Sequence, residues 1–150
     1  DVERRYPSIV ADLRAGMNKT DIVQITAKFI QREGLDGSTM EGVMAYWFGQ
    51  AWAVSNQEPF PTAQQYQGIA AQLRKSIGKS SKLSQMTNAQ RQTFFEELAY
   101  RLFEQRVTYQ AAMKSGDTAS TTRLARQSQA GLTKLGLNFK GKRLNDNGFQ

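Results

Sequence analysis

The chain has no cysteine and no histidine. Their absence excludes disulfides, thiolate nucleophiles, the usual zinc sites, Ser-His-Asp triads and histidine general bases. A missing cysteine suits a secreted or periplasmic protein, where stray thiols oxidise, although many cytosolic proteins of this size also lack it. Long hydrophobic runs are missing too. The longest charge-free stretch, Gly42 to Gln57, contains Gln50, Ser55, Asn56 and Gln57, and falls short of the roughly 20 apolar residues that cross a bilayer. No transmembrane segment is expected. Strict apolar/polar alternation bounded by hairpin turns is also absent. Beginning at Asp1 with neither an initiator methionine nor a charged-then-apolar leader, the chain reads as a processed mature protein or a trimmed one.

What is present is a succession of helix signals in 150 residues, enough for one domain with a single core. The expected fold is all-α: a single-domain bundle of about five to six helices, spanning residues 1–150, around a central apolar helix at about residues 39–55. A short first helix opens at Pro7, carries Ile9, Val10 and Leu13, and stops at Gly16. The second is capped by Asn18, with Asp21 three positions on, turns Ile22, Ile25, Phe29 and Ile30 inward and ends at Gly34.

The third helix holds "MEGVMAYWFGQAWAV", residues 40 to 54. Ser38 and Glu41 are spaced as a capping box. At 100° per residue, Gly42, Ala45, Gly49 and Ala53 form a small stripe, with Met40, Met44, Trp47 and Ala51 opposite and Phe48 and Trp52 on a third side. A helix apolar all round belongs in the middle of a bundle, and its small stripe admits a close neighbour. Trp47, Trp52 and Tyr46 are therefore read as core rather than as the lining of a ligand pocket. Pro59 and Pro61 break "NQEPFPT" into a loop. Thr62 with Gln65, and Thr87 with Gln90, are further capping boxes. The first opens a helix burying Tyr66, Ile69, Ala70, Leu73 and Ile77. The second opens one that runs to Ser115 with Phe94, Phe95, Leu98, Leu102, Tyr109 and Met113 inward; at roughly 40 Å it is expected to bend or break. Asp117 or Thr118 caps a last helix with Leu124, Ser128, Leu132 and Leu135 on one face, ended by Gly136. From about residue 137 the tail is polar and basic, and either packs through Leu137, Phe139 and Leu144 or is mobile.

Charge is uneven. Residues 1–60 carry a net charge of minus two and residues 61–150 a net of plus nine. A basic C-terminal half suits an acidic partner, and a solvated basic surface is the plainer alternative. The residues expected to be exposed and to bind a partner are Arg123, Arg126, Lys134, Lys140, Lys142 and Arg143. No catalytic, cofactor or metal residue is indicated. Gly78-Lys79-Ser80 lacks the first glycine and the strand of a phosphate loop. Glu96 and Glu97 point about 100° apart and cannot face one another as glycosidase carboxylates. Glu41 is the one acid worth examining, and a capping role accounts for it.

Three segments, "MEGVMAYWFGQAWAV", "FPTAQQYQGIAAQLR" and "MTNAQRQTFFEELAY", resemble a family of uncharacterised bacterial proteins that are helical and made with a signal peptide. The likeness covers most of residues 8 to 149. It implies export to the periplasm and carries no activity and no site residues. A looser resemblance is to periplasmic accessory proteins of type six secretion loci. The function expected is a non-enzymatic interaction module of the cell envelope that binds another envelope protein with an acidic face. Two alternatives differ in class. One is a nucleic-acid binder using Lys140, Lys142 and Arg143, though without a recognition motif. The other is a cell-wall glycan hydrolase in which Glu41 would act. Oligomeric state is not readable.

Overall fold

Local signals explain most helix boundaries in this computed structural model, which describes residues 19–77 and 85–150. The expected first helix, the Asn18 cap and Gly78-Lys79-Ser80 lie outside the described residues. Five helices follow in order: α1 (Lys19–Arg32), α2 (Met40–Asn56), α3 (Ala63–Ile77), α4 (Asn88–Ser115) and α5 (Thr118–Lys134). A two-residue hairpin, β1 (Leu144–Asn145) with β2 (Gly148–Phe149), closes the chain, pairing Leu144 with Phe149 and Asn145 with Gly148. The fold is all-α apart from that hairpin. No helix among the described residues is long and apolar enough to cross a membrane.

Two of the three expected capping boxes form as read. At α3 the Gln65 backbone N–H donates to Thr62 Oγ1 and the Thr62 N–H donates to Gln65 Oε1; Thr87 and Gln90 repeat this at α4. The third differs. Thr39, not Ser38, caps α2 by accepting from the Gly42 N–H at 3.1 Å. Ser38 instead donates through its N–H and its hydroxyl to Asp36, and those bonds hold the Asp36 carboxyl below its ordinary pKa. An aspartate two residues upstream competes for Ser38, so the cap moves one residue on.

The central place of α2 is confirmed: it packs against α1, α3, α4 and α5. Its small stripe is where α3 comes closest. A methyl group on Gly49 would collide with the Tyr66 ring, and one on Gly42 with the Asp36 carbonyl. Tyr66, Ile69 and Ala70 are buried beside Val43, Ala45 and Tyr46. The tryptophans correct the expectation. Trp47 and Trp52 are only half-buried, packed against the core clusters from their margin, while Met44 and Ala51 beside them are buried.

Helix α4 runs unbroken for 28 residues. It has partners on two sides: α1 packs along it through Thr26–Ala99 and Phe29–Phe103 contacts, and α5 packs against it as well. Two residues placed inward are exposed, Met113 at 39% and Leu135 at 60%. Met113 lies in the last turn of α4, and Leu135 is the C-cap residue that follows α5. Gly116 and Gly136 adopt positive φ where α4 and α5 end.

Candidate functional site

The basic tail is tied to the core by three hydrogen bonds from the C-terminal half of α2. Trp52 Nε1 donates to the Lys142 carbonyl at 2.8 Å, Asn56 Nδ2 donates to the Phe139 carbonyl at 2.9 Å, and the Gly141 N–H donates to Asn56 Oδ1 at 2.8 Å. Phe139 is buried, stacks on Phe149 at 4.8 Å and tilts against Phe48 at 5.2 Å. Further along, the Gln72 side chain mimics a neighbouring strand: its Nε2 donates to the Phe149 carbonyl and its Oε1 accepts the Phe149 N–H. Gly68 makes room. A Cβ there would strike the backbone of residues 146–148. Leu137, Phe139 and Leu144, the residues through which packing was read as one alternative, all contribute to hydrophobic clusters.

Five of the six expected partner-binding residues are exposed: Arg126 and Lys134 on α5, and Lys140, Lys142 and Arg143 on the anchored loop. The C-terminus of α5 and that loop converge on α2, since Leu132, Ala51 and Phe139 form one cluster. Arg123 departs from the expectation of exposure. It is half-buried, with Nε and Nη2 sealed from solvent and lacking hydrogen-bond partners. Its place on α5, between buried Ser120 and Leu124, draws the long side chain toward the protein.

The most concentrated polar chemistry inside the protein centres on Arg106, which sequence reading did not single out. From α4 its guanidinium stands 4.8 Å from the Phe60 ring, 5.0 Å from Phe29 and 5.7 Å from Tyr46. It donates to Tyr46 Oη at 2.8 Å and to Glu33 Oε1 at 3.3 Å. Only 13% of the Arg106 side chain is exposed. Tyr46 stacks on Tyr66, whose hydroxyl is buried without a hydrogen-bond partner. Burial pushes the Tyr46 hydroxyl up to about 12, with the Arg106 charge opposing it, and burial pushes Tyr66 well above the ordinary tyrosine value. Arg106 thus joins α1, α2, α4 and the α2–α3 loop. A guanidinium spent on one carboxylate, one phenol and three rings has little left for a ligand, so the cluster is read as structural. Nothing in the local spacing marks Arg106, because its partners come from residues 29 to 60.

Glu41 is also engaged. Arg74 donates to both of its oxygens, at 2.6 and 3.1 Å, so Glu41 bridges α2 and α3 instead of completing a capping box. Among the described residues no group of three or more Asp or Glu side chains could hold a metal ion.

A groove lies on the opposite side of α2. Helices α4 and α5 form its walls, Trp47 and Ala51 contribute to its floor, and its cavity volume is about 560 Å³. Leu98, Leu102 and Leu132 supply apolar surface, and Arg101, Glu104 and Gln127 are exposed along it. Gly131 faces it too, and a Cβ there would meet nothing within 4 Å.

Residues 16–150 match a family of unknown function, DUF6683. The chain belongs to that family. No curated protein and no solved structure matches it. Family membership therefore covers nearly the whole helical body and the hairpin while assigning no role to any residue, and functional inference rests on geometry.

Proposed function

We propose that this DUF6683 chain is a non-enzymatic interaction module of the bacterial cell envelope, exported to the periplasm, that docks an acidic face of another envelope protein. The observation that carries the docking part is the loop of Lys140, Lys142 and Arg143. Its backbone is fixed by Trp52 and Asn56 while its three side chains are exposed and share one sign. Charges held on an ordered backbone lose less conformational entropy on binding than charges on a mobile tail, and they steer an acidic partner by long-range attraction. The envelope setting rests on the resemblance of the three helical segments to signal-peptide-bearing proteins, with service to a secretion apparatus as its most specific form.

Pull-down from periplasmic extract, with the wild-type chain and with Lys140→Glu, Lys142→Glu and Arg143→Glu combined, tests this reading. The expected result is a stoichiometric acidic envelope protein retained by the wild type, released by added salt and lost by the triple variant. Equal retention by both chains at low and high salt would place the partner elsewhere. A sequence-selective nanomolar complex with duplex DNA would instead favour nucleic acid, since generic binding at physiological salt is only about 10⁻⁴ to 10⁻⁶ M.

A further inference from the structure

We propose that Asn147–Gly148 is a modification site, a spontaneous succinimide-forming deamidation whose rate is set by undocking of the β1–β2 hairpin from α3. The inference stands on the hairpin alone and is independent of the interaction reading above. Of the chain's asparagines, Asn147 alone is followed by glycine. A glycine nitrogen has no side chain beside it, so it reaches the carboxamide carbon of the preceding residue more easily than any other backbone nitrogen. Asn147 lies exposed in the turn between β1 and β2, whereas Gly148 is buried. The electrophile is in solvent and the nucleophile is not.

The reaction balances without a redox partner. The Gly148 amide nitrogen loses its proton to hydroxide and forms a bond to Asn147 Cγ; the Cγ–Nδ2 bond breaks and the side-chain nitrogen leaves as ammonia. Water then opens the succinimide ring. Cleavage at Cγ gives aspartate. Cleavage at the backbone carbonyl carbon gives isoaspartate, whose main chain runs through Cβ and Cγ and is a carbon longer. Either product adds a negative charge to the hairpin.

Several features of the docked hairpin hold this reaction back. Gly148 pairs with Asn145 across the ladder, and the Gln150 N–H donates to the Arg143 carbonyl at 2.9 Å. Bonded pairs alternate along an antiparallel ladder, so the Gly148 N–H is engaged on Asn145. Helix α3 covers the peptide between Asn147 and Gly148: a Cβ on Gly68 would strike the Gly148 nitrogen and the backbone carbon of Asn147. The Gln72 side chain holds the next residue at both ends, with Nε2 donating to the Phe149 carbonyl at 2.8 Å and Oε1 accepting the Phe149 N–H at 2.9 Å. The Asn147 N–H donates to Asn145 Oδ1 at 2.8 Å and fixes the turn itself. Ring closure needs the Asn147 side chain to swing over Gly148 and hydroxide to reach the Gly148 N–H. Both wait until the hairpin leaves Gly68. The hairpin is a small unit with two residues in each strand, held by the Gln72 clamp, the Phe149–Phe139 stack and Leu144, so it opens locally while the helices stay folded. Isoaspartate makes the opening permanent, because the lengthened turn no longer keeps the Asn145–Gly148 register that fits over Gly68.

The test incubates the full chain and a peptide of residues 144–149 side by side in mildly alkaline buffer and follows conversion of Asn147 by mass spectrometry. Conversion in the folded chain is expected to be at least about tenfold slower than in the peptide, and denaturant should remove the difference. Gly68→Ala pushes the hairpin off α3 without touching the reacting residues and should speed conversion toward the peptide rate. Gln72→Ala removes only the clamp and should act in the same direction, which keeps the test valid should Gly68→Ala lose helical circular dichroism. The isolated isoaspartate product should show faster amide hydrogen exchange at Phe149 and Gln150 than the parent chain. Conversion of the folded chain at the peptide rate, equal rates in the wild type and the folded variants, or unchanged exchange in the isoaspartate product would overturn the proposal.

Discussion

Gly49 and Gly131 sit in the middle of two helices that pack on each other, yet their surroundings are opposite. At Gly49 the seam between α2 and α3 is closed by the ring of Tyr66, fully buried; at Gly131 the seam between α4 and α5 stands open. The same residue type serves close packing in one place and leaves a gap in the other. The difference teaches that a glycine in a helix is informative only through what approaches it. In a closed seam its missing side chain is occupied by a neighbour, and replacing it costs overpacking. In an open seam the backbone flexibility of glycine weakens the helix with no packing in return.

The sharpest way to break that comparison is Gly49→Leu, which should destabilise the protein by about 1 to 3 kcal/mol or more, read from denaturant midpoints. Gln31→Leu on exposed α1 surface serves as control and should change little. An unchanged midpoint for Gly49→Leu would dissolve the distinction between the two seams. The closed seam should also be sensitive to alkali. The hydroxyls of Tyr46 and Tyr66 titrate higher in the folded protein than the ordinary value of 10, Tyr46 at about 12. The unfolded chain therefore releases those protons first, and the stability they contribute is complete below pH 10 and lost as pH rises toward 12. Melting temperatures measured across that interval should fall, and Tyr46→Phe should flatten the fall; a flat wild-type profile would contradict the burial of these hydroxyls.

At the open seam the expected sign reverses. Gly131→Ala should stabilise by about 0.5 to 1 kcal/mol, because it removes the helix penalty of glycine and touches nothing. A loss of stability would mean that something occupies the groove in the isolated protein. Smallest of all should be the combined charge reversal at Lys140, Lys142 and Arg143. Their side chains are exposed and the loop is held through backbone carbonyls, an N–H and Phe139, so each substitution should cost under about 0.5 kcal/mol in a thermal melt.

Legibility differed by range. The capping boxes at Thr62 and Thr87 were readable because donor and acceptor lie three residues apart and depend on nothing else. The same pattern misled at Ser38, where Asp36 and Thr39 competed at equally short range. Helical periodicity picked out Tyr66, Leu98, Leu102, Tyr109 and Leu124 correctly as buried. It failed at Met113 and Leu135 because a wheel assigns a face without knowing where the neighbouring helix stops. Five of the six cations chosen for a partner surface are exposed, and the sixth, Arg123, is drawn inward by its neighbours. Neither Arg106 nor the groove was visible, since each is assembled from segments far apart in the chain.

By itself, then, the sequence determined the helical class, the starts of α3 and α4, the central place of α2 and the small stripe through which that helix meets a close partner. These follow from interactions within one helix or from a period of 3.6 residues. Only the tertiary structure decided which ring fills the stripe, that Arg106 is held among Phe29, Tyr46 and Phe60, that the basic tail is anchored by Trp52 and Asn56, and that Gly131 faces an open groove. The physical reason is that packing is a property of pairs of surfaces. A sequence states what each helix offers along its own axis, whereas contact, burial and vacancy depend on which face of another helix arrives there and how far along it extends.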